Sequence, residues 1–144
     1  MKRRRAHTIL LLVLWIGFLG LFQNCAPVKD LTPEEKAMKD LAIAIEKTSG
    51  DLETLAESNR SCTNDSQCVA VVVGFKGCGG PRDYTYTSLN NDMATIQALS
   101  ISLQNLERDQ WNRSNGVVST CDLVLPPSLA CQSGLCQIVP SIPF

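Results

Sequence analysis

Histidine is almost missing from this chain: His7 is the only one among 144 residues. Residues 8–144 therefore have no Ser-His-Asp or Cys-His nucleophile system, no histidine metal ligand and no imidazole acid–base chemistry. No two cysteines stand in C-x-x-C spacing, the arrangement that poises a thioredoxin-like thiolate. The cluster Gly77-Cys78-Gly79-Gly80 has neither the spacing nor the lysine of a phosphate-binding loop. Carboxylate chemistry is what remains. A glycosidase needs two acids a few ångströms apart in a cleft, and Asp65, Asp83, Asp122 and Glu107 are on offer. The simpler reading of all four is solvated surface charge. Asn64-Asp65-Ser66 supplies too few oxygens to match an EF-hand calcium loop. The sequence thus calls for no metal and no cofactor, and it contains no internal repeat or low-complexity tract.

The length suits one modest domain. The formal net charge of -1 hides an uneven distribution. Lys2, Arg3, Arg4 and Arg5 are the four basic residues before position 25, where no acid occurs. Removing those four from 13 Lys+Arg leaves nine against 14 Asp+Glu, near -5 for the remainder. That balance argues against a nucleic-acid partner, whose affinity rests on neutralising phosphates. It equally disfavours electrostatic adhesion to anionic lipid.

The basic start runs into Thr8–Phe22, an apolar run of about 15 residues, against the ~20 needed to span a bilayer. Gln23-Asn24 ends it and Cys25 follows. Basic n-region, short apolar core and cysteine together resemble the signal of bacterial lipoproteins, over residues 1–26. Phe22, Gln23 and Asn24 stand where the common lipobox has Leu and two small residues. The resemblance implies a signal peptide over residues 1–24, cleavage before Cys25, and lipid on that cysteine. Each buried methylene contributes ~0.8 kcal/mol, so two or three acyl chains hold firmly where one holds marginally. It also implies a cell-envelope location. Ala26, where an Asp would retain the protein in the inner membrane, favours the outer one. Residues 25–31 then form a tether reaching at most ~25 Å.

Residues 32–144 read as a single disulfide-rich domain. Thr32-Pro33-Glu34-Glu35 is a helix start with a capping box. Met38, Leu41, Ile45, Thr48, Leu52 and Leu55 then form one apolar stripe. It keeps phase across Ser49-Gly50, which suits one kinked helix or two short ones. A stripe of about three heptads is short for a coiled coil and suits packing on its own domain. Val69–Phe75 reads as a buried strand and 76–83 as a loop. A second helix is expected from Ser88, as its cap, to about Asn112, with Leu89, Met93, Ile96, Leu99, Leu103 and Leu106 on one face and Asn115-Gly116 as its end. Val117-Val118 and Leu123–Leu125 are candidate strands, and Cys131–Val139 a hairpin around Ser133-Gly134. The expected fold class is α+β: two helices packed on a small antiparallel sheet, stapled by disulfides.

Giving Cys25 to lipid leaves Cys62, Cys68, Cys78, Cys121, Cys131 and Cys136. In an exported chain an even six implies three disulfides and no free thiol; fifteen pairings are open. Zinc is the rival, but its sites favour C-x2–4-C pairs, which only Cys131 and Cys136 approach. These spacings, with Gly77-Cys78-Gly79-Gly80-Pro81, resemble an uncharacterised group of six-cysteine secreted bacterial domains, which implies no activity. For binding, the segment 76–86 stands out. Lys76, Arg82, Tyr84 and Tyr86 lie around the anchor Cys78, and Tyr and Arg are enriched at interface hot spots. Against this, Tyr84 and Tyr86 alternate as a short strand would, with one of them packed inside.

The functional expectation is a membrane-anchored, non-enzymatic binding or structural module with an envelope protein partner. The alternatives are an inhibitor of a protease or cell-wall hydrolase and, more weakly, a small carboxylate-dependent hydrolase. Intact-mass analysis of membrane-extracted protein should show an acylated form beginning at Cys25, and Cys25→Ser should abolish acylation. An unmodified terminus at Met1 or Ala26 would refute the anchor.

Overall fold

The computed structural model describes residues 30–114 and 121–140. The chain divides into two units, Met1–Thr32 and Pro33–Phe144. Of the first, only residues 30–32 are described, all exposed and without regular structure. The signal segment, Cys25, Asn115-Gly116 and Val117-Val118 lie outside the described residues. The second unit runs α1 (Pro33–Ser58), a 3-10 turn (Asp65–Gln67), β1 (Cys68–Val73), β2 (Asp83–Ser88), α2 (Met93–Arg113), β3 (Leu129–Gln132) and β4 (Leu135–Ile138). This is an α+β fold, and its sheet is two separate antiparallel pairs, β1-β2 and β3-β4. Among the described residues no helix is long and apolar enough to cross a membrane.

α1 is one continuous helix through Ser49-Gly50. α2 begins at Met93, capped by Asp92 and not by Ser88. Leu89 suits the stripe, but its N–H is taken by Gln67 O at 2.8 Å, which prolongs the β1-β2 ladder. A turn follows, in which Asn91 N–H donates to Ser88 O at 3.0 Å. Asn91 also donates through Nδ2 to Leu55 O at 2.7 Å, filling one of the carbonyls that a helix leaves open at its C-terminus. The expected strand at Leu123–Leu125 does not form: 121–128 is irregular, with Leu123 and Leu125 83% and 70% exposed. Lys76 Nζ instead takes Asp122 O at 2.9 Å, and Pro126-Pro127 cannot donate to a ladder.

The core is small. Leu52 from α1, Ile96 and Leu103 from α2, and Val71 and Val73 from β1 form its buried cluster, flanked by Ile45, Leu55, Met93 and Leu99. Both expected stripes therefore point inward, except for Leu89 at the head of the second, which is 51% exposed. The β3-β4 hairpin turns at Ser133 (φ 54°) and Gly134 (φ 79°), the two positive φ values of a type I′ turn. It adds almost nothing apolar to the core: Cys136 is the single buried residue of β3 and β4. Sulfur attaches it instead. Cys62–Cys131 and Cys68–Cys136 tie it to the segment before β1 and to β1 itself, and Cys78–Cys121 closes the loop after β1. The two bridges close nearly the same loop, of 69 and 68 residues, so in the loop-entropy account the first restricts the unfolded chain by about 4 kcal/mol and the second adds much less.

The Asp92 cap is a proton-linked contact. Thr95 donates to it through Oγ1 at 2.6 Å and through N–H at 3.1 Å, and these bonds hold the carboxyl below its usual value of 3.8. Its contribution is present above that value and is lost as pH falls through the lowered one. Asp92→Ala should lower the thermal midpoint at pH 7, and the gap from the natural protein should close on acidification below pH 3.8. An equal gap at both ends would show that the cap is not the cause.

Candidate functional site

Residues 83–86 belong to strand β2, although the sequence suggests that the loop extends through Asp83. Tyr84 and Tyr86 are two apart, opposite Val72 and Ala70 of β1, and so share one face of the pair. Both are half-buried. With Arg82 they line a cleft of about 300 Å³ closed on its other side by Glu53, Glu57 and Arg60. Three of the four residues that stand out in the sequence thus meet. Lys76 does not join them: it borders a separate cleft of about 220 Å³ between the glycine loop and 121–124.

Arg60 joins them from outside the segment 76–86. Its guanidinium lies over the Tyr86 ring, 4.0 Å from the centroid, donating through Nη1 to Tyr86 Oη at 3.2 Å and through Nη2 to Glu57 Oε1 at 3.2 Å. Among the described residues its buried Nε has no hydrogen-bond partner, and the cation rests on the π face of the ring, an attractive arrangement. The ring is thereby fixed before any partner arrives. The sequence signal is slight: Arg60 stands three residues after Glu57, the spacing of a helical ion pair.

The second wall is organised by Glu107. Its polarity suggests a surface charge, yet it is buried, 8% exposed. Burial of a carboxylate demands partners, and two are present. Phe75 N–H donates to Oε2, and Arg82 Nε donates to Oε1 at 3.1 Å. Arg82 keeps the rest of its guanidinium fork toward the outside, with 47% of its side chain exposed. It separates the tyrosine cleft from a neighbouring one of about 340 Å³ lined by Met38, Phe75, Glu107 and Trp111. Gly74 (φ +68°) makes this packing feasible, since a Cβ there would stand 2.2 Å from Glu107 Oε2. Gly77 does the same for the Trp111 ring, also at 2.2 Å.

Chemically the tyrosine cleft offers two phenols, two guanidinium groups and the carboxylates of Glu53, Glu57 and Asp83. That mixture suits directional hydrogen bonding to a polar surface. Of the acids considered for hydrolysis, Glu107 is engaged by Phe75 and Arg82, and Asp65 accepts from Cys131 N–H at 2.8 Å. In the described residues the one group of potential metal ligands is Cys62, Cys68 and Cys136, all of them in disulfides. Compared with protein-family models, curated proteins and solved structures, the chain finds no match.

Two glycines separate space from conformation. A Cβ added at Gly50, inside α1, would have nothing within 4 Å, so Gly50→Ala should raise stability by about 0.5–1 kcal/mol. Gly74→Ala adds a left-handed φ and a collision with a fixed carboxylate, and should lower it by about 3 kcal/mol. Denaturant titration of both variants checks this, and a neutral Gly74→Ala would mean that Glu107 can move aside.

Proposed function

We propose that the protein is a lipid-anchored envelope lipoprotein whose disulfide-stapled domain is a non-enzymatic binding or structural module, contacting a protein partner through the Arg82-Tyr84-Tyr86 cleft. One observation carries the assignment of the surface: Tyr84 and Tyr86 on β2 meet Arg82 just before it, and two of the three are fixed beforehand, Tyr86 by Arg60 and Arg82 by Glu107. Prior fixing lowers the ordering cost of association. The anchor is supported by the basic start, the apolar run and Cys25, and an outer-membrane destination by Ala26. The acidic balance of residues 25–144 favours a protein over nucleic acid.

A second reading has its own observation. Cys78, Gly79 and Gly80 are exposed on a loop pinned by Cys78–Cys121, a preorganised shape suited to an inhibitor of a protease or cell-wall hydrolase.

Crosslinking capture from intact envelopes separates the two. Tyr84→Ala, and Arg82→Lys, which keeps a cation beside Glu107 but removes the guanidinium fork, should each weaken capture by ~1–2 kcal/mol. Capture unchanged while the thermal midpoint falls would rule the cleft out as the surface. Loss confined to Lys76→Ala would move the surface to the pinned loop.

A further inference from the structure

β1 pairs along one edge. Its register with β2 runs from Cys68 opposite Ser88 to Val73 opposite Asp83, and among the described residues that sheet has two strands. In a ladder the N–H and C=O of successive residues point to opposite edges. Leu89 N–H donates to Gln67 O and Arg82 N–H to Val73 O, so the odd-numbered positions face β2. Cys68, Ala70 and Val72 therefore turn their backbone groups to the outer edge. Two bonds made there agree. Cys68 N–H donates to Asp65 O, and Val72 O accepts from Ser100 Oγ at 2.6 Å. Four groups remain without a hydrogen bond among the described residues: Cys68 O, Ala70 N–H, Ala70 O and Val72 N–H.

Sheet proteins guard such an edge with charge, proline or a covering element. β1 (CVAVVV) has neither charge nor proline, whereas β2 begins with Asp83. The β3-β4 hairpin, though tied to Cys68 by a disulfide, forms a separate sheet and adds no strand here. Beside the edge runs a groove of about 430 Å³ between β1 and α2, and every side chain lining it is uncharged. Leu89, beside Gln67, and Ile101, next to Ser100, mark its two ends. They are 51% and 59% exposed.

We propose that two copies of the chain pair through β1, antiparallel about Ala70, joining their two-stranded sheets into one of four strands. The open groups are themselves arranged for this. With Ala70 opposite Ala70, Cys68 of each copy stands opposite Val72 of the other. The two Ala70 residues exchange N–H···O bonds, and each Val72 N–H meets a Cys68 O. Those four bonds use every open group, while the groups already taken, Cys68 N–H and Val72 O, fall opposite each other. A strand lacking this pattern would set its own groups against occupied ones. The antiparallel course also brings the Leu89 end of one groove to the Ile101 end of the other. Residues 25–144 are acidic, near -5, and this groove lets two copies meet where neither presents charge. The inference is independent of the cleft proposed above.

The test uses the full chain carrying Cys25→Ser in a zwitterionic detergent, with sedimentation and residue-resolved hydrogen exchange followed over a concentration series. The expected result is a monomer–dimer equilibrium in which the Ala70 and Val72 amides gain at least about tenfold in protection as the dimer fills. The Val69 and Val71 amides, which face β2, should not respond. Ala70→Pro removes the central N–H without touching the β1-β2 ladder, and Ile101→Lys sets a charge in the groove. Each should weaken dimerisation at least about tenfold. Ile101→Lys changes an exposed position and keeps the test decisive if the proline variant fails to fold. Tyr84→Ala should leave the dimer intact, which separates this result from that of the cleft. A chain monomeric up to ~1 mM, or a dimer that leaves the Ala70 and Val72 amides unchanged, would overturn the proposal. So would protection independent of concentration, the mark of a cover from the same chain, or protection gained only with envelope extract, the mark of a foreign strand.

Discussion

One buried carboxylate sets the layout of the candidate surface. Glu107 sits on α2 where an apolar residue would sit by spacing, and a charge there must be met by donors. The backbone of Phe75 and the guanidinium of Arg82 are those donors, so the chain leaving β1 has to turn across the helix at Gly74 before it returns as β2. The position of Arg82, and the wall it makes between two clefts, follow from that turn. Removing one partner of a buried pair typically costs ~3–5 kcal/mol. The figure is smaller on the Arg82 side, since that side chain is half exposed and water can take over part of its role.

The rest of the domain is held by a division of labour. α1, α2 and β1 share an apolar cluster of five buried side chains, which is little for a domain of this length. The hairpin lies outside that cluster and relies on two disulfides and three hydrogen bonds from backbone N–H groups. Two kinds of glue thus serve two parts of one chain: burial for the helices, covalent bonds for the hairpin.

Periodicity makes much of this legible. The stripes from Met38 to Leu55 and from Met93 to Leu106 point at the core because a helix repeats every 3.6 residues, and Ser133-Gly134 marks its turn through the φ values that such a turn demands. The same arithmetic carries more than polarity suggests. Glu107 and Trp111 follow Leu103 at intervals of four, on the inward face, whereas charge alone would put Glu107 outside. The start of α2 is harder to locate because Leu89 fits the stripe, while its N–H is needed by Gln67 in the ladder; local pattern cannot see a partner 22 residues upstream. Leu123–Leu125 has the composition of a strand, but among the described residues no neighbouring strand pairs with it. The disulfide pairing is out of reach of the sequence, because it depends on where the hairpin docks.

That docking bears on how the chain oxidises. Cys62 and Cys68 lie close in sequence, as do Cys131 and Cys136, yet each bridge joins one pair to the other across a long stretch of chain. The first bridge to close bears nearly the whole entropic cost. The second then forms between thiols confined together, at an effective concentration in the millimolar range or above. Confinement alone does not tell right from wrong, since the crossed pairing of Cys62 with Cys136 and Cys68 with Cys131 gains from it as well. The choice falls to the backbone bonds from Cys62 to Gly134 and from Cys136 to Arg60, which exist only once the hairpin is seated in register. Correct oxidation in this domain is therefore a record that the hairpin had already found its place.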